Sequence, residues 1–328
     1  MSPISPTSTT GPTDPTDAAG AAPSPDLDAD RAVPDEEVDE LLRGAVDLHQ
    51  HPGPSPFPRR MSILDAARDA DAAGFRAIVA KSHHHSMVTD ILALRTAGLD
   101  ELSVEVFGGI ALNRTVGGLN PYAVELALRL GGRVVWFPTL SSAAHVEHHR
   151  THDTGFPTSE VELRPNEVIR VTDENGALLP EVHDILDVIA AEDAILTCGH
   201  LGVDEAQPLI DGALAAGVRR VVVNHPCFVV GAPAERVRAW ARQGVTVEHC
   251  VVMYFGRPER RRDIGELLSY IEAAGPGRTV LSSDSGQRHN PLPVTLYRRA
   301  VRGLLDAGVP AAALRRMTGG NAGELLFR

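Results

Sequence analysis

The 328-residue sequence contains thirty arginines but a single lysine, Lys81. Arginine has replaced lysine almost everywhere, which indicates a compositional bias. The lysine that remains is therefore a candidate for chemistry that arginine cannot perform. The alternative is that Lys81 is a chance survivor that forms an ion pair.

The sequence also has few cysteines, no long apolar run and no excess of positive charge. Three cysteines, Cys198, Cys227 and Cys250, argue against a disulfide framework and favour a reducing cytoplasm. No apolar run approaches the roughly 18 residues of a membrane span, and no basic residue precedes Arg31, which argues against a secretory signal. The net charge of −12 argues against nucleic acid and anionic membranes as partners. We expect a small-molecule substrate instead.

Residues 1–35 consist mainly of Pro, Ser, Thr, Ala and Asp, with almost no large apolar side chain. Such a segment cannot bury enough surface to offset the entropy of ordering. We therefore expect a disordered, dispensable tail, followed by one domain over residues 36–328.

Eight β-rich runs alternate with amphipathic helical stretches in that domain. Each run is nearly continuously apolar, as in a parallel sheet, and Asn120 before Pro121 marks the start of an intervening helix. Eight such units predict a closed (β/α)8 barrel of the TIM type. An open doubly wound sheet is the alternative, but no Gly-rich phosphate loop supports it. The predicted strands are 45–51, 75–83, 104–113, 133–140, 194–202, 219–226, 245–250 and 279–286.

The connection between the fourth and fifth strands, 141–193, is too long for a single helix. It contains a histidine-rich run and then Asn175-Gly176 between apolar residues, which is a hairpin signal. We expect an inserted subdomain that lies over the carboxyl ends of the strands.

His49 and His51 lie two residues apart at the end of the first strand. Side chains at i and i+2 of a strand point to the same side, about 7 Å apart at Cα, so that one metal can reach both imidazoles. This pair alone is a weak signal. A purely structural role is an even alternative.

Other strand ends carry similar residues. His200, His225 and Asp284 end the fifth, sixth and eighth strands, and Lys81 and His83 share one face at the end of the second. Barrel enzymes build their sites at these ends. A hydrogen-bonded histidine cluster without a metal is the remaining alternative.

This pattern resembles the amidohydrolase superfamily of metal-dependent (β/α)8 hydrolases, over residues 40–328. That family has H-x-H on strand one, histidines on strands five and six, and an aspartate on strand eight. The segments "DLHQHPGP", "KSHHH" and "GGLNPYAVE" look like an uncharacterised branch of it. The resemblance implies that His49, His51, His200, His225 and Asp284 surround a divalent cation.

One feature departs from that pattern. Many binuclear members carry a carboxylated lysine on strand four as a metal bridge, whereas strand four here, "RVVWFPT", has none. Either the site holds one ion, or Lys81 supplies the bridge from strand two. A carbamate requires an uncharged amine, and a guanidinium stays protonated.

The ligand set implies a mechanism. A metal held by His49, His51, His200 and Asp284 activates water, and Asp284 takes the proton and passes it to the leaving group. His225 is a second-metal ligand if Lys81 bridges, and a catalytic imidazole if it does not. Zinc is the expected metal, although iron, manganese and nickel suit the same donors.

Three further residues are weaker candidates for substrate binding. His83 shares the face of Lys81, Arg114 follows strand three and is able to pair with a carboxylate, and His249 ends strand seven beside Glu248. His249 is equally expected to support the metal ligands, and Arg114 is equally expected to be an ordinary surface residue. The histidines of the insertion, His145 among them, are expected mainly in a solvated loop.

The resulting hypothesis is hydrolysis of an amide or cyclic amide C–N bond in a small molecule. Non-oxidative decarboxylation on the same scaffold is the main alternative. Phosphoester hydrolysis and a non-catalytic metal-binding protein are less favoured. Homo-oligomerisation is expected only from the habit of the family.

Overall fold

The structure, a computed structural model, describes residues 27–29, 35–152 and 156–327. Most of the segment predicted to be a disordered tail lies outside these residues. Eight parallel strands form one sheet in chain order, as the sequence predicts. The strands are β1 Val46–Gln50, β2 Ala77–Ala80, β3 Glu105–Ala111, β4 Val134–Trp136, β5 Ile195–Thr197, β6 Arg220–Asn224, β7 Thr246–Cys250 and β8 Thr279–Ser282.

Helix α1 precedes the first strand, and the other helices follow strands. They are α1 Glu36–Leu42, α2 Ile63–Ala72, α3 Val88–Arg95, α4 Pro121–Arg129, α5 Ala143–Thr151, α6 Pro180–Ala191, α7 Val203–Ala215, α8 Ala234–Arg242, α9 Val252–Phe255, α10 Ile264–Ala274, α11 Pro293–Asp306, α12 Ala311–Arg315 and α13 Asn321–Phe327. No helix among the described residues combines the length and apolarity needed to cross a membrane.

Local sequence signals explain where these helices begin. The side chain of Asn120 accepts hydrogen bonds from the backbone of Tyr122 and Ala123, and Pro121 occupies the first helical position of α4. Ser62 caps α2 in the same way, with a reciprocal hydrogen bond from its own backbone to Asp65. These caps fix the helix starts immediately after the loops at the barrel mouth.

The first and last strands meet at their carboxyl ends. The amide of Asp284 donates to the carbonyl of His49 at 2.8 Å, and the amide of His51 donates to Ser285 at 2.7 Å. The carboxylate of Asp47 accepts from the amides of His49 and Ser283 at 3.2 and 2.9 Å. These bonds close the (β/α)8 barrel where the candidate ligands lie.

The connection between β4 and α6 contributes to the barrel mouth. It contains α5 and a turn at Asn175-Gly176, where Thr172 and Leu178 form an isolated antiparallel bridge. Its residues Phe156 and Thr158 line the same cavity as the strand-end histidines. The insertion therefore forms part of the wall of the cavity.

A short part of the N-terminal segment contacts the barrel. Asp28 accepts hydrogen bonds from the amide of Leu292 at 2.9 Å and from the guanidinium of Arg60 at 2.6 Å. Because of these bonds, we expect a shorter segment, residues 1–26, to be dispensable.

Two truncations test the contribution of Asp28. Deletion of residues 1–26 should leave the melting temperature unchanged. Deletion of residues 1–34 removes Asp28 as well and should lower it by about 2 °C, the scale of about 1 kcal/mol in a domain of this size. Differential scanning calorimetry of both truncations measures the effect. Equal melting temperatures for the two would show that Asp28 contributes nothing.

Candidate metal centre

The three residues His49, His51 and Asp284 converge at the ends of β1 and β8. The Nε2 atoms of the two histidines lie 3.2 Å apart. Asp284 Oδ1 lies 3.4 Å from His49 Nε2 and 3.1 Å from His51 Nε2. One donor atom from each residue falls within 4.8 Å of the other two, and both histidines are buried. The predicted pairing of the H-x-H residues with Asp284 is thus present in the geometry.

Backbone geometry places Asp284 next to the imidazoles. Its φ of 50° lies in the left-handed region, which aspartate and asparagine tolerate better than most residues. Burial opposes its ionisation, but the neighbouring His49 and His51 outweigh burial and hold its pKa well below the usual range. Asp284 is therefore a carboxylate at neutral pH.

Gly286 allows β1 and the loop after β8 to approach this closely. Its φ is 129°, and a Cβ atom there would lie 2.1 Å from the carbonyl oxygen of His51. Gly286→Ala should therefore lower the free energy of unfolding by about 2–3 kcal/mol and reduce the metal content. Denaturant unfolding and elemental analysis measure the two effects.

Gly277→Ala is the matched control for that substitution. Gly277 has no positive φ, and a Cβ atom added there would meet no other atom of the described residues within 4 Å. This variant should behave like the wild type. Wild-type stability in Gly286→Ala would show that the loop adapts without cost.

Lys81 lies directly after β2 and reaches the same centre. Its Nζ is 3.0 Å from His49 Nε2 and 5.4 Å from the centre of the Trp136 ring. The side chain is almost fully buried, and this desolvation lowers the pKa of the amine despite the nearby carboxylates of Asp284 and Glu248. The inward position that strand alternation predicts for Lys81 is present.

The second nitrogen of each H-x-H imidazole has its own partner. His51 Nδ1 is 3.1 Å from the carbonyl oxygen of Lys81, an acceptor that favours a proton on Nδ1 and leaves Nε2 free to bind a cation. His49 Nδ1 is 3.4 Å from Glu248 Oε2, and Asn224 also contacts that oxygen. Burial opposes ionisation of Glu248, but His49 and hydrogen bonds hold its pKa at about 2. Glu248 therefore orients His49 from behind.

His225 and His200 form the other side of the centre. Their ring centroids are 4.9 Å apart, and a donor atom of His225 lies within 4.8 Å of Cys250 and Asp284. His200 belongs to no such three-residue group among the described residues. Its Nδ1 lies instead 2.9 Å from Nδ1 of His145.

The donor chemistry fits a divalent cation. Burial lowers the pKa of His51 to about 3 and that of His225 to about 4, so both imidazoles are neutral ligands at pH 7. A carboxylate with neutral imidazoles is the ligand type that zinc and other first-row metals bind. Asp284 belongs to two of the three candidate groups among the described residues, the one with His49 and His51 and the one with His225 and Cys250.

The three weaker candidates lie in different places. His83 lines the cavity, stacks on His51 at 4.8 Å and hydrogen-bonds Thr139 at 2.9 Å. Arg114 points into the insertion, where its guanidinium donates to the carbonyls of residues 167 and 168. His249 is buried beside Tyr270. The structure therefore brings only His83 of the three to the cavity.

Two neighbours of the centre carry no clear signal in the sequence. His145 was expected in a solvated loop, but α5 buries it against His200. Arg59 lies in the loop after β1 and faces the cavity. Its position in an irregular loop gives no periodicity from which its direction can be predicted.

The candidate centre opens into a cavity of about 400 Å³, within the usual range for small-molecule sites. Aromatic and aliphatic side chains from the loops form one part of its wall, and arginines form another. The lining residues include His51, Phe57, Arg59, His83, Phe156, His200, His225, Phe228, Val252, Met253, Arg257, Arg262, Asp284 and Arg288.

Several solved structures share this architecture. An amidohydrolase from Pseudomonas aeruginosa is 12% identical and aligns with a TM-score of 0.60 over 88% of this chain and 98% of its own. A probable dipeptidase from the same organism is 11% identical, with a TM-score of 0.59 over 89% and 97%. A variant of organophosphorus hydrolase from Deinococcus radiodurans is 13% identical, with a TM-score of 0.52 over 88% and 94%. The likeness shows that the chain shares the barrel fold of these proteins.

The sequence itself identifies a narrower group. A model of a family of unknown function, DUF6282, matches residues 44–248, and the chain belongs to this family. No curated protein matches the sequence. The matched region contains His49, His51, Lys81, His200 and His225, and Asp284 lies beyond it.

Proposed function

We propose that the protein is a metal-dependent hydrolase that cleaves an amide or cyclic amide C–N bond of a small molecule. The observation that carries this proposal is the convergence of His49, His51 and Asp284 on one point at the end of the cavity. A carboxylate shared with the His225 side adds a group that is able to move protons. A non-catalytic binding protein would need the convergence of the ligands but not a carboxylate that moves protons.

The residues have distinct tasks in this proposal. When bound, a divalent cation supplies Lewis acidity, which activates water and polarises the bond to be cleaved. Asp284, ionised by its environment, accepts the proton of the attacking water and delivers it to the leaving nitrogen. His225 lies on the opposite side of the centre, where a neutral imidazole orients the substrate carbonyl or binds a second ion.

Lys81 is the proposed bridge between two cations. Its Nζ lies within 3.0 Å of a ligand nitrogen of His49, and burial favours the neutral amine that reacts with CO₂. A carbamate on Lys81 would then be shared by the two halves of the centre, one formed by His49 and His51 and the other by His200 and His225. In a centre with one ion, Lys81 instead stabilises negative charge on the substrate. Zinc is the expected metal, with iron, manganese or nickel as substitutes.

Decarboxylation is the second candidate, and the wall of the cavity favours it. Arg59 lines the cavity without an acidic partner within 4.0 Å among the described residues, which suits an acidic substrate, and β4 carries no lysine to bridge two ions. A small unsaturated or aromatic acid would then lose CO₂ at a centre with one ion. The solved structures of similar fold include a probable dipeptidase and an organophosphorus hydrolase, so the fold alone does not decide which bond is broken.

Metal stoichiometry and a substrate panel test the proposal. Protein reconstituted with Zn²⁺ or Mn²⁺ is assayed by elemental analysis and then with small amides, imides, lactones and unsaturated acids. Two ions per chain with amine release from an amide or imide support hydrolysis. One ion with release of CO₂ supports decarboxylation. Absence of bound metal would contradict both.

A further inference from the structure

The cavity next to the metal centre is lined by more arginines than acidic residues, although the chain carries a net charge of −12. Among its described lining residues the acidic one is Asp284, which is a ligand in the proposed centre. Four arginines also line the cavity: Arg59, Arg257, Arg262 and Arg288.

Most of these arginines are already neutralised by nearby acids. The pairs are Arg262 with Glu266 at 2.6 Å, Arg288 with Glu160 at 2.9 Å and Arg257 with Glu259 at 3.6 Å. Arg59 has no acidic partner within 4.0 Å among the described residues, and is thus the cavity arginine with charge available for a ligand.

The guanidinium of Arg59 presents one edge without a partner. Its Nε and Nη2 atoms are both buried and lack a hydrogen-bond partner in the described part of the chain. These two nitrogens form the side edge of the planar group, whose parallel N–H bonds match the two oxygens of a carboxylate. Leaving such donors buried and unsatisfied is costly, which indicates that a ligand completes the site.

Neighbouring backbone holds Arg59 in this position. Arg59 forms an antiparallel bridge with Gln287, and the amide of Arg60 donates to Gly286 at 2.9 Å. The guanidinium carbon lies 5.7 Å from the centre of the Phe57 ring. The loop after β1 is thus tied to the loop that follows Asp284, which fixes the distance between Arg59 and the reacting centre.

We propose that Arg59 binds a carboxylate of the substrate through Nε and Nη2, so that the substrate is a small carboxylic acid. This inference rests on the proposed function, since the reacting bond would lie at Asp284. The apolar part of the molecule lies against Phe57 and Phe156, whose rings are 5.8 Å apart. One unpaired guanidinium matches a singly charged carboxylate better than a doubly charged phosphate.

Calorimetric titration tests this assignment without any turnover. Acetate, propionate, benzoate and phenylacetate are titrated into the full chain, metal-loaded and metal-free, with benzamide and phenyl phosphate for comparison. At least one carboxylate should bind both forms, more tightly than benzamide or phenyl phosphate. Arg59→Met should weaken that binding about tenfold or more, as expected for loss of a charge-assisted bidentate pair. Arg59→Lys should weaken the binding less, because the positive charge remains although the two parallel N–H donors are lost.

Arg288→Met is the matched control, because Arg288 lines the same cavity but is paired with Glu160. The affinity of this variant for the carboxylate should lie within about twofold of the wild-type value, well below the roughly tenfold loss expected for Arg59→Met. Equal binding by wild type, Arg59→Met and Arg59→Lys, or no binding of any carboxylate by wild type, overturns the inference. Preference for phenyl phosphate over every carboxylate overturns it too. The protein could also bind carboxylates through Arg59 and yet take up no metal. That result would support the inference about Arg59 and contradict only the proposed function.

Discussion

Asp284→Asn is expected to reduce turnover by about 10²–10⁴-fold, the usual contribution of a general acid–base group. Asparagine has nearly the same shape and tolerates the φ of 50° at this position, so the backbone bond from residue 284 to His49 should persist. Its amide cannot accept the proton of water. The imidazoles of His49 and His51 remain, and we expect part of the metal to stay bound.

Steady-state kinetics on the substrate found by the panel, together with elemental analysis, measure this result. Asp306→Asn is the control, because Asp306 is exposed on α11, remote from the centre in sequence and outside the cavity lining. Turnover near the wild-type value in Asp284→Asn with metal retained would exclude Asp284 as the proton carrier.

Lys81→Ala is expected to cripple activity and to lower the metal content from two ions to about one, if a carbamate bridges the centre. The truncation leaves a space beside His49 and Trp136 that a small anion is able to enter. Short carboxylic acids or bicarbonate should therefore restore part of the activity and of the metal content.

Two further substitutions separate this role from packing. Lys81→Met keeps most of the apolar stem against Trp136, so it should be as inactive as Lys81→Ala but should resist rescue, because the space is filled. Lys81→Arg keeps a positive charge but cannot form a carbamate. Full activity in Lys81→Arg would contradict the bridging role, because this variant keeps the charge but loses the carbamate.

The strand order and the inward side chains could be predicted because period-two alternation and apolar runs are local properties. All eight strands occur within the predicted runs, although several end earlier, such as β5 at Thr197 rather than at residue 202. The chain leaves the ladder there, and Gly199, with a φ of 59°, turns it so that His200 reaches the cavity.

The side chains beyond the strand ends could not be predicted in this way. Arg114 follows β3 in a 3₁₀ turn, where alternation no longer sets direction, and its guanidinium is satisfied by carbonyls of the insertion. The burial of His145 depends on how α5 packs over His200. The direction of the Arg59 guanidinium depends on the pairing of two loops that are distant in sequence.

Anomalous diffraction from crystals of metal-loaded protein tests the central claim most directly. We expect a peak about 2.0–2.3 Å from Nε2 of His49, Nε2 of His51 and a carboxylate oxygen of Asp284, the usual bond lengths for such donors. A bridged centre would add a second peak near His200 and His225, with continuous density on Lys81 Nζ. A loaded crystal with no peak within about 3 Å of His49, His51 and Asp284 would contradict the claim.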